Sequence, residues 1–441
     1  MHEVVNQEEW RVVERWVSLL PDEARKRPGI LVTQALIEQF RFRIGAMLHL
    51  LNEAQAALES GFDGYSFVQQ EEWRGVINAY RATSFLPFNS PGDSYAFAEN
   101  ALKQVNPSAI FVRSFAEFWF VYSLQQAGKP QEALRRARQL LAGQTGAPDT
   151  RTNRLMLAQC SVHYGEADVY GLRGAARAFL DLALRTGHQV SQGWANFLLG
   201  WSSYQENDLT LAKFHFENAL AHRQRIHGHA AVGCFTGLAH IHHVLGEDKQ
   251  VQEVLTALRE FMVEQGGAAM LRIPDSLALH LAPSERVDRN TGDLKVSLSE
   301  QLAVDTWELP VLTACRTEIL SGGPDLEAVE QTLAECERFA LSRNNKRQLL
   351  QIGALQALLS QVRGQWEQEV APFREVVRRG PTAGALRNLV ATATELKPSY
   401  ELLAARGFAP DYLPKILSAG PVDEESAPHN LPAVLSPDAL T

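Results

Sequence analysis

A small residue followed, at fixed offsets, by a turn residue and then three apolar positions recurs along this chain at intervals of about 39 residues. Nothing else in the sequence restricts its folding as tightly, because a repeat of that length is one supersecondary unit that buries its apolar face only against its neighbours. From Gly200 the pattern runs to Asn207, Ala212, Phe216 and Ala219. Ala239 leads in the same way to Gly246, Val251, Leu255 and Leu258, and Val121 to Gly128, Ala133, Ala137 and Leu140. Ala357 leads to Gly364, Glu369, Phe373 and Val376, with the glutamate as the misfit. Ala35 leads to Phe42, Met47, Leu51 and Ala54, so there a phenylalanine stands where the turn residue is due. The other four turn positions hold Gly or Asn, which tolerate the left-handed backbone that follows a helix. The anchors lie 39 residues apart from Gly200 to Ala239, and 79, close to two periods, from Val121 to Gly200. A small anchor suits the point where antiparallel helices cross closely, so each unit reads as a helix hairpin.

The expected fold is therefore all-α, a right-handed superhelical solenoid of tetratricopeptide-like helix hairpins, each slightly longer than the usual unit. Helical periodicity dominates from Glu8 to about Leu417. Trp10, Val13, Trp16, Val17 and Leu20 fall on one face and Pro21 closes that helix, while Pro28 suits the first turn of the next. The runs 87–93 and 143–149 punctuate helices and are too short to be domain linkers. Four segments follow: 1–282 as the first part of the solenoid, 283–296 as an inserted loop or hairpin around Asn290-Thr291-Gly292-Asp293, 297–419 as the second part, and 420–441 as a tail. The tail is rich in Pro, Ser and acid and reads as a tether.

Charge narrows the range of partners. Against 42 Lys and Arg stand 51 Asp and Glu, a formal charge of -9, which disfavours binding of a phosphate backbone by this chain alone. The four cysteines, Cys160, Cys234, Cys315 and Cys336, show no CxxC spacing, and the N-terminus resembles no signal peptide, so a reducing cytoplasm is expected. The most apolar stretch, 109–124, is broken by Arg113 and Glu117 and does not read as a membrane span.

The search for chemistry finds no catalytic site. There is no GxSxG, no HExxH and no glycine-rich phosphate loop; the sole Gly-Lys pair, Gly128-Lys129, runs into Pro130. His227, His229, His240, His242 and His243 invite a metal, but no cysteine stands at ligand spacing, and neither a metal nor a cofactor is expected. In stacked hairpins the first helix of each unit lines the inner face, so its inward residues meet a ligand. Registered on the anchors, these are Phe115, Phe118 and Tyr122, then Trp194, Phe197, Trp201 and Tyr204, then His240 and His243. Flat rings with a polar edge suit a sugar face or a peptide at little rotamer cost. The same spacing equally describes the buried stripe of a helix.

The order of motifs carries a resemblance that periodicity does not. Residues 16–21 (WVSLLP), Arg27-Pro28, 194–200 (WANFLLG), Gly237-Leu238-Ala239, 297–303 (SLSEQLA), 352–359 (IGALQALL) and 407–417 (GFAPDYLPKIL) follow one another in a way that resembles the helical-repeat region of MalT-like, LuxR-type transcriptional activators. Residues 435–441 (LSPDALT) resemble that family's entry into its DNA-reading domain. The resemblance implies an effector-sensing and protein-interaction module, taking a small molecule or a protein in its concave groove and transmitting the event to an ATPase module and a helix-turn-helix. Neither of those domains lies in this sequence, so the chain reads as a sensor segment apart from its output. Self-association is compatible with this reading. Two alternatives stand beside it: a free-standing tetratricopeptide-type scaffold or adaptor for peptides or proteins, and a metal-dependent hydrolase.

Overall fold

A computed structural model describes residues 10–60, 65–83, 90–144, 148–265, 272–281, 306–322, 325–364, 374, 377–378, 384, 386–390 and 395–419. Among them the regular structure is helical and no strand occurs. The helices are α1 (Trp10–Ser18), α2 (Asp22–Arg25), α3 (Pro28–Phe40), α4 (Ile44–Glu59), α5 (Phe67–Arg81), α6 (Pro91–Gln104), α7 (Ile110–Gln126), α8 (Pro130–Ala142), α9 (Thr150–Gly165), α10 (Val169–Arg185), α11 (Gln189–Gln205), α12 (Leu209–Leu220), α13 (Gly228–Val244), α14 (Asp248–Glu264) and α15 (Arg272–Leu281). After the segment 282–305 come α16 (Pro310–Ser321), α17 (Leu326–Ser342), α18 (Lys346–Val362), α19 (Arg387–Val390), α20 (Lys397–Ala405) and α21 (Leu413–Ser418).

Helices α3 to α14 pack as six consecutive hairpins, and the first helix of each hairpin also touches the first helix of the next. Composition explains the two roles. Inner helices such as α7, α11 and α13 are buried on almost every side, whereas the outer α8 and α12 bury only the stripes Ala133-Leu134-Ala137 and Ala212-Phe216-Ala219. The anchor position works by close approach. A Cβ on Gly200 would lie 2.4 Å from the Phe216 ring, and one on Gly237 would lie 2.3 Å from the same ring. Phe216 thus reaches two inner helices at once, and only glycine leaves it room.

The turn position is left-handed in all five units read from the sequence pattern, including the one that breaks the sequence rule. Gly128, Asn207, Gly246 and Gly364 have φ of 78°, 66°, 69° and 69°, and Phe42 adopts 66°. Phe42 N–H donates to Gln39 O at 2.9 Å and Arg43 N–H to Glu38 O at 2.8 Å, the same closing pair seen after α7. Ala167, at 55°, supplies the turn that the interval between Val121 and Gly200 implied, with Cys160 as its anchor seven residues earlier. The glycine pattern passes over that unit because neither position holds glycine.

Two sets of contacts fold the array back on itself. At one, the turn after α3 meets the start of α13: the Gln39 amide lies 3.1 Å from His227 Nε2, across 188 residues of sequence, and Phe42 stacks on His229. At the other, the C-terminal block docks on the ends of inner helices. Asn344 Nδ2 donates to Gln125 O at 3.0 Å and to Glu166 Oε1 at 2.6 Å, Lys346 pairs with Glu166, and Arg387 Nε donates to Asn207 Oδ1 at 2.8 Å. Buried apolar residues accordingly form three large clusters, within residues 10–162, within 157–350 and within 309–419.

Several expectations meet this structure differently. Trp16, expected on the buried face of the first helix, is 39% exposed, because burial there follows Trp10, Val13 and Val17. Leu20 lies beyond the end of α1. The inserted segment 283–296, the tail 420–441, and Glu369, Phe373 and Val376 lie outside the described residues. No helix among the described residues is long and apolar enough to cross a membrane.

Candidate ligand-binding site

Inner helices α7, α9, α11 and α13 each bring one register to the inner face, namely the positions six and three before the anchor and one and four after it. On α7 these are Phe115, Phe118, Tyr122 and Gln125, and on α11 they are Trp194, Phe197, Trp201 and Tyr204. On α9, counted from Cys160, they are Arg154, Leu157, Ser161 and Tyr164. Asp149 fixes the start of α9 by accepting the Thr152 N–H at 3.0 Å, which sets Arg154 one turn further in.

Five of the nine candidate residues, Phe115, Phe118, Tyr122, Trp194 and Phe197, line one cavity of about 70 Å³. Its remaining wall is Gln39, Trp119, Arg154, Leu157, Ser161, Tyr164, Leu198, His227 and His229. Phe118, Trp194 and Ser161 keep partial exposure and form the mouth, while Phe115 and Phe197 are buried beneath. The Arg154 guanidinium lies 4.8 Å from the Phe111 ring centroid and 5.5 Å from that of Phe115. Burial lowers its pKa to about 10, so it remains a cation at neutral pH.

The two histidines at the rim are set by the start of α13. His227 Nδ1 accepts the His229 N–H at 3.2 Å, a cap that requires the unprotonated nitrogen. The other ring nitrogen, Nε2, lies 3.1 Å from the Gln39 amide nitrogen, a contact whose direction follows the ring tautomer. Burial, then the neighbouring His229 and Arg154, hold the His227 pKa well below its ordinary value, in keeping with a neutral ring. Trp194 lies 5.2 Å from His227 and 5.4 Å from His229, so this wall of the pocket exists only where α3 and α13 meet.

Tyr204 and His240 line a second cavity of about 60 Å³ with His280, Glu308 and Arg387. Trp307, from the segment before α16, forms one of its walls. Trp307 stacks on His240 at 5.5 Å and 18°, and meets Tyr204 edge-on at 5.1 Å. Beside it the buried Glu308 accepts from Ser276 at 2.5 Å and faces His280 Nδ1 at 3.2 Å. Burial alone would raise the Glu308 pKa, but the His280 charge and hydrogen bonds from His280, Ser276 and Thr313 outweigh it and bring it to about 2. His240, through burial and the facing His280, is lowered to about 3.

Trp201 and His243 line neither cavity. Trp201, expected on the accessible wall, has no exposed surface and packs 4.9 Å from the Tyr164 ring. The position after the anchor faces inward, but the Tyr164 ring packs edge-on against it. His243 is half-buried at the far end of α13. Sequence reasoning missed Arg154 and Tyr164, although the same offsets applied to Cys160 would have found both; Trp307 and Gln39 carry no local signal. Among the described residues no group of three or more His, Cys, Asp or Glu side chains is disposed around a metal position.

No family model matches the chain, and no curated protein matches it. Among solved structures it is similar to a Rap protein crystallised with competence and sporulation factor, at 10% identity and a TM-score of 0.45, over 90% of this chain and 98% of that one. At that identity and score the likeness bears on neither ligand nor mechanism.

Proposed function

We propose that this chain is a non-catalytic, cytoplasmic sensing and interaction region of the kind found in MalT-like, LuxR-type regulators, binding an effector on its inner face and passing the event to attached domains. One observation carries the reading: the aromatic pocket between α7, α9 and α11 is completed by residues from the α3–α13 contact, Gln39, His227 and His229. A ligand that fills the pocket therefore has different affinity for the closed and the opened array. That difference in binding free energy shifts the population of the two. The mechanism needs no reaction, only a coupling of about 1–3 kcal/mol between pocket and closure.

Hydrogen exchange of the full chain, with and without fractions of small metabolites, tests the proposal. Binding on the inner face slows exchange in α7, α9 and α11 and, through the closure, at the start of α13. A fraction that protects the pocket helices but leaves α13 unchanged removes the signalling step. The DNA flanking the coding region provides a second check, an upstream phosphate-loop ATPase and a downstream helix-turn-helix being expected.

A free-standing scaffold for peptides is the second reading, and the second cavity favours it. Thr306 to Leu309 lies there as a bent, non-helical piece of chain, with Trp307 seated on Tyr204 and His240 and the Thr306 carbonyl accepting from Arg347 Nη2 at 3.0 Å. An external peptide with an aromatic side chain would meet the same groups.

A further inference from the structure

We infer that the second cavity binds a short hydroxycarboxylate, its carboxylate held by Arg387 and the Tyr204 hydroxyl and its own hydroxyl donating to Gln351; this goes beyond the reading of the aromatic pocket and does not depend on it. Unused polar groups are the first argument. Tyr204 and His240 line the cavity and are 5% and 7% exposed, yet among the described residues neither the Tyr204 hydroxyl nor the His240 ring makes a hydrogen bond. Gln351 and Arg316 line it too, and Gln351 Oε1 and Arg316 Nε are buried without a partner. Buried polar groups are nearly always satisfied, so four orphans around one small space point to a guest that satisfies them.

Charge is the second argument. Arg387 is 4% exposed, and its partners among the described residues are neutral: Nε and Nη2 both donate to Asn207 Oδ1, and the guanidinium lies 5.7 Å from the Tyr204 ring centroid. The Glu308 charge in the same cavity is already held by Ser276, Thr313 and His280, and that of Arg316 by Glu395. His240, lowered to about 3 by burial and His280, is neutral and adds no charge. One unmatched cation favours a monoanion, and a guanidinium edge with a hydroxyl beside it suits a carboxylate. A halide or a plain alkanoate brings no donor for Gln351 Oε1, whereas a hydroxyl on the acid does. The cavity of about 60 Å³ has room for about four to six waters at roughly 10–15 Å³ each, and so for an acid of about six non-hydrogen atoms. Trp307, Leu309, Leu312 and Leu355 receive its apolar end. A guest seated there touches α11 and α13 on one side and α16, α18 and α19 on the other, and so fastens the C-terminal block to the hairpins.

The experiment is thermal shift and calorimetry on the full chain with lactate at constant ionic strength, using lactamide, which lacks the charge, and propionate, which lacks the hydroxyl, as controls. Lactate raises the Tm, propionate raises it less and lactamide leaves it unchanged. Tyr204→Phe removes a hydroxyl that the empty protein does not use, so the unliganded Tm stays at or above that of the parent while lactate affinity falls by about 10- to 100-fold, the loss of a hydrogen bond to a charged group. Gln351→Leu also keeps the unliganded Tm, and it erases the preference for lactate over propionate. No shift with lactate, equal shifts from lactate and lactamide, or a lactate affinity unchanged by Tyr204→Phe overturns the assignment. A lowered unliganded Tm in both variants overturns it as well, because those groups would then be satisfied within the empty protein. Neither Tyr204 nor Gln351 lines the aromatic pocket, so failure here leaves the sensing reading to its own test.

Discussion

Phe42 stacks on His229 with ring centroids 4.8 Å apart and planes 15° from parallel. The pair links the turn of the first hairpin to the start of the sixth inner helix. It also accounts for the break in the repeat. Every other turn at this offset, among the five read from sequence, uses Gly or Asn for its left-handed backbone. A side chain there costs about 1–2 kcal/mol, while burying the ring contributes about 1.5–3 kcal/mol and the stack about 0.5–1.5 kcal/mol more. The contact outweighs the strain, so the phenylalanine is kept.

Substitution at Phe42 should therefore reverse the usual order of small residues. Phe42→Ala loses the ring and keeps the left-handed strain, so it destabilises by about 3–5 kcal/mol. Phe42→Gly loses the ring but relieves the strain and should be the more stable of the two by about 1 kcal/mol. Urea denaturation of both variants checks the order. An alanine variant as stable as the glycine one would mean that the turn is not left-handed in solution.

Gly200→Ala should cost about 1–3 kcal/mol, because its methyl would meet the Phe216 ring at 2.4 Å. Phe216→Leu in the same chain should recover part of that loss, since the shorter side chain yields the space. A double-mutant cycle reads the coupling, and strict additivity would mean that helices α11 and α12 do not cross as closely as described.

Trp201→Ala should behave as a core truncation, with a loss of about 3–5 kcal/mol. Its ring has no exposed surface and lies against Tyr164. A fall in ligand affinity with nearly unchanged stability would return it to the pocket wall.

The repeat made the hairpins legible because anchor and turn obey local rules. Gly200 must be small for Phe216, and Asn207 must accept a positive φ, whatever the rest of the chain does. The unit between Val121 and Gly200 stayed hidden because Cys160 and Ala167 fill those roles without the residue types that announce them. Five pocket residues were readable from helical register alone, since register decides which side of a helix faces inward. Burial of Trp201 was not readable, because its cover comes from Tyr164 on another helix. The same holds for Trp307, which reaches Tyr204 and His240 from a distant segment, and for Gln39 and His227. Contacts that close an array are non-local by nature and leave no periodic trace.

Stability should fall on acidification from about pH 6.5. Burial, with the facing Arg177, lowers His215 to about 4; burial and His280 lower His240 to about 3; and burial, with His229 and Arg154, holds His227 well below its ordinary value. Their folded values lie below the ordinary 6.5, so the unfolded chain binds more protons as pH drops. The stabilisation is complete above about 6.5 and is lost progressively toward pH 4 and below. Unfolding free energies in urea at pH 7.5, 6.5, 5.5 and 4.5 should decline below 6.5. His227→Gln, which removes one of these groups, should flatten the slope. A profile flat to pH 4.5 would mean that these rings are solvated in the folded state.

The closure of the array on itself is tested most directly by a double-mutant cycle between Phe42 and His229. Phe42→Ala, His229→Ala and the double variant are compared by equilibrium unfolding. A stacked pair predicts a coupling of about 0.5–1.5 kcal/mol, with the second substitution costing less once the first is made. Additivity within about 0.3 kcal/mol would contradict the account, because the first hairpin would then not touch the start of α13.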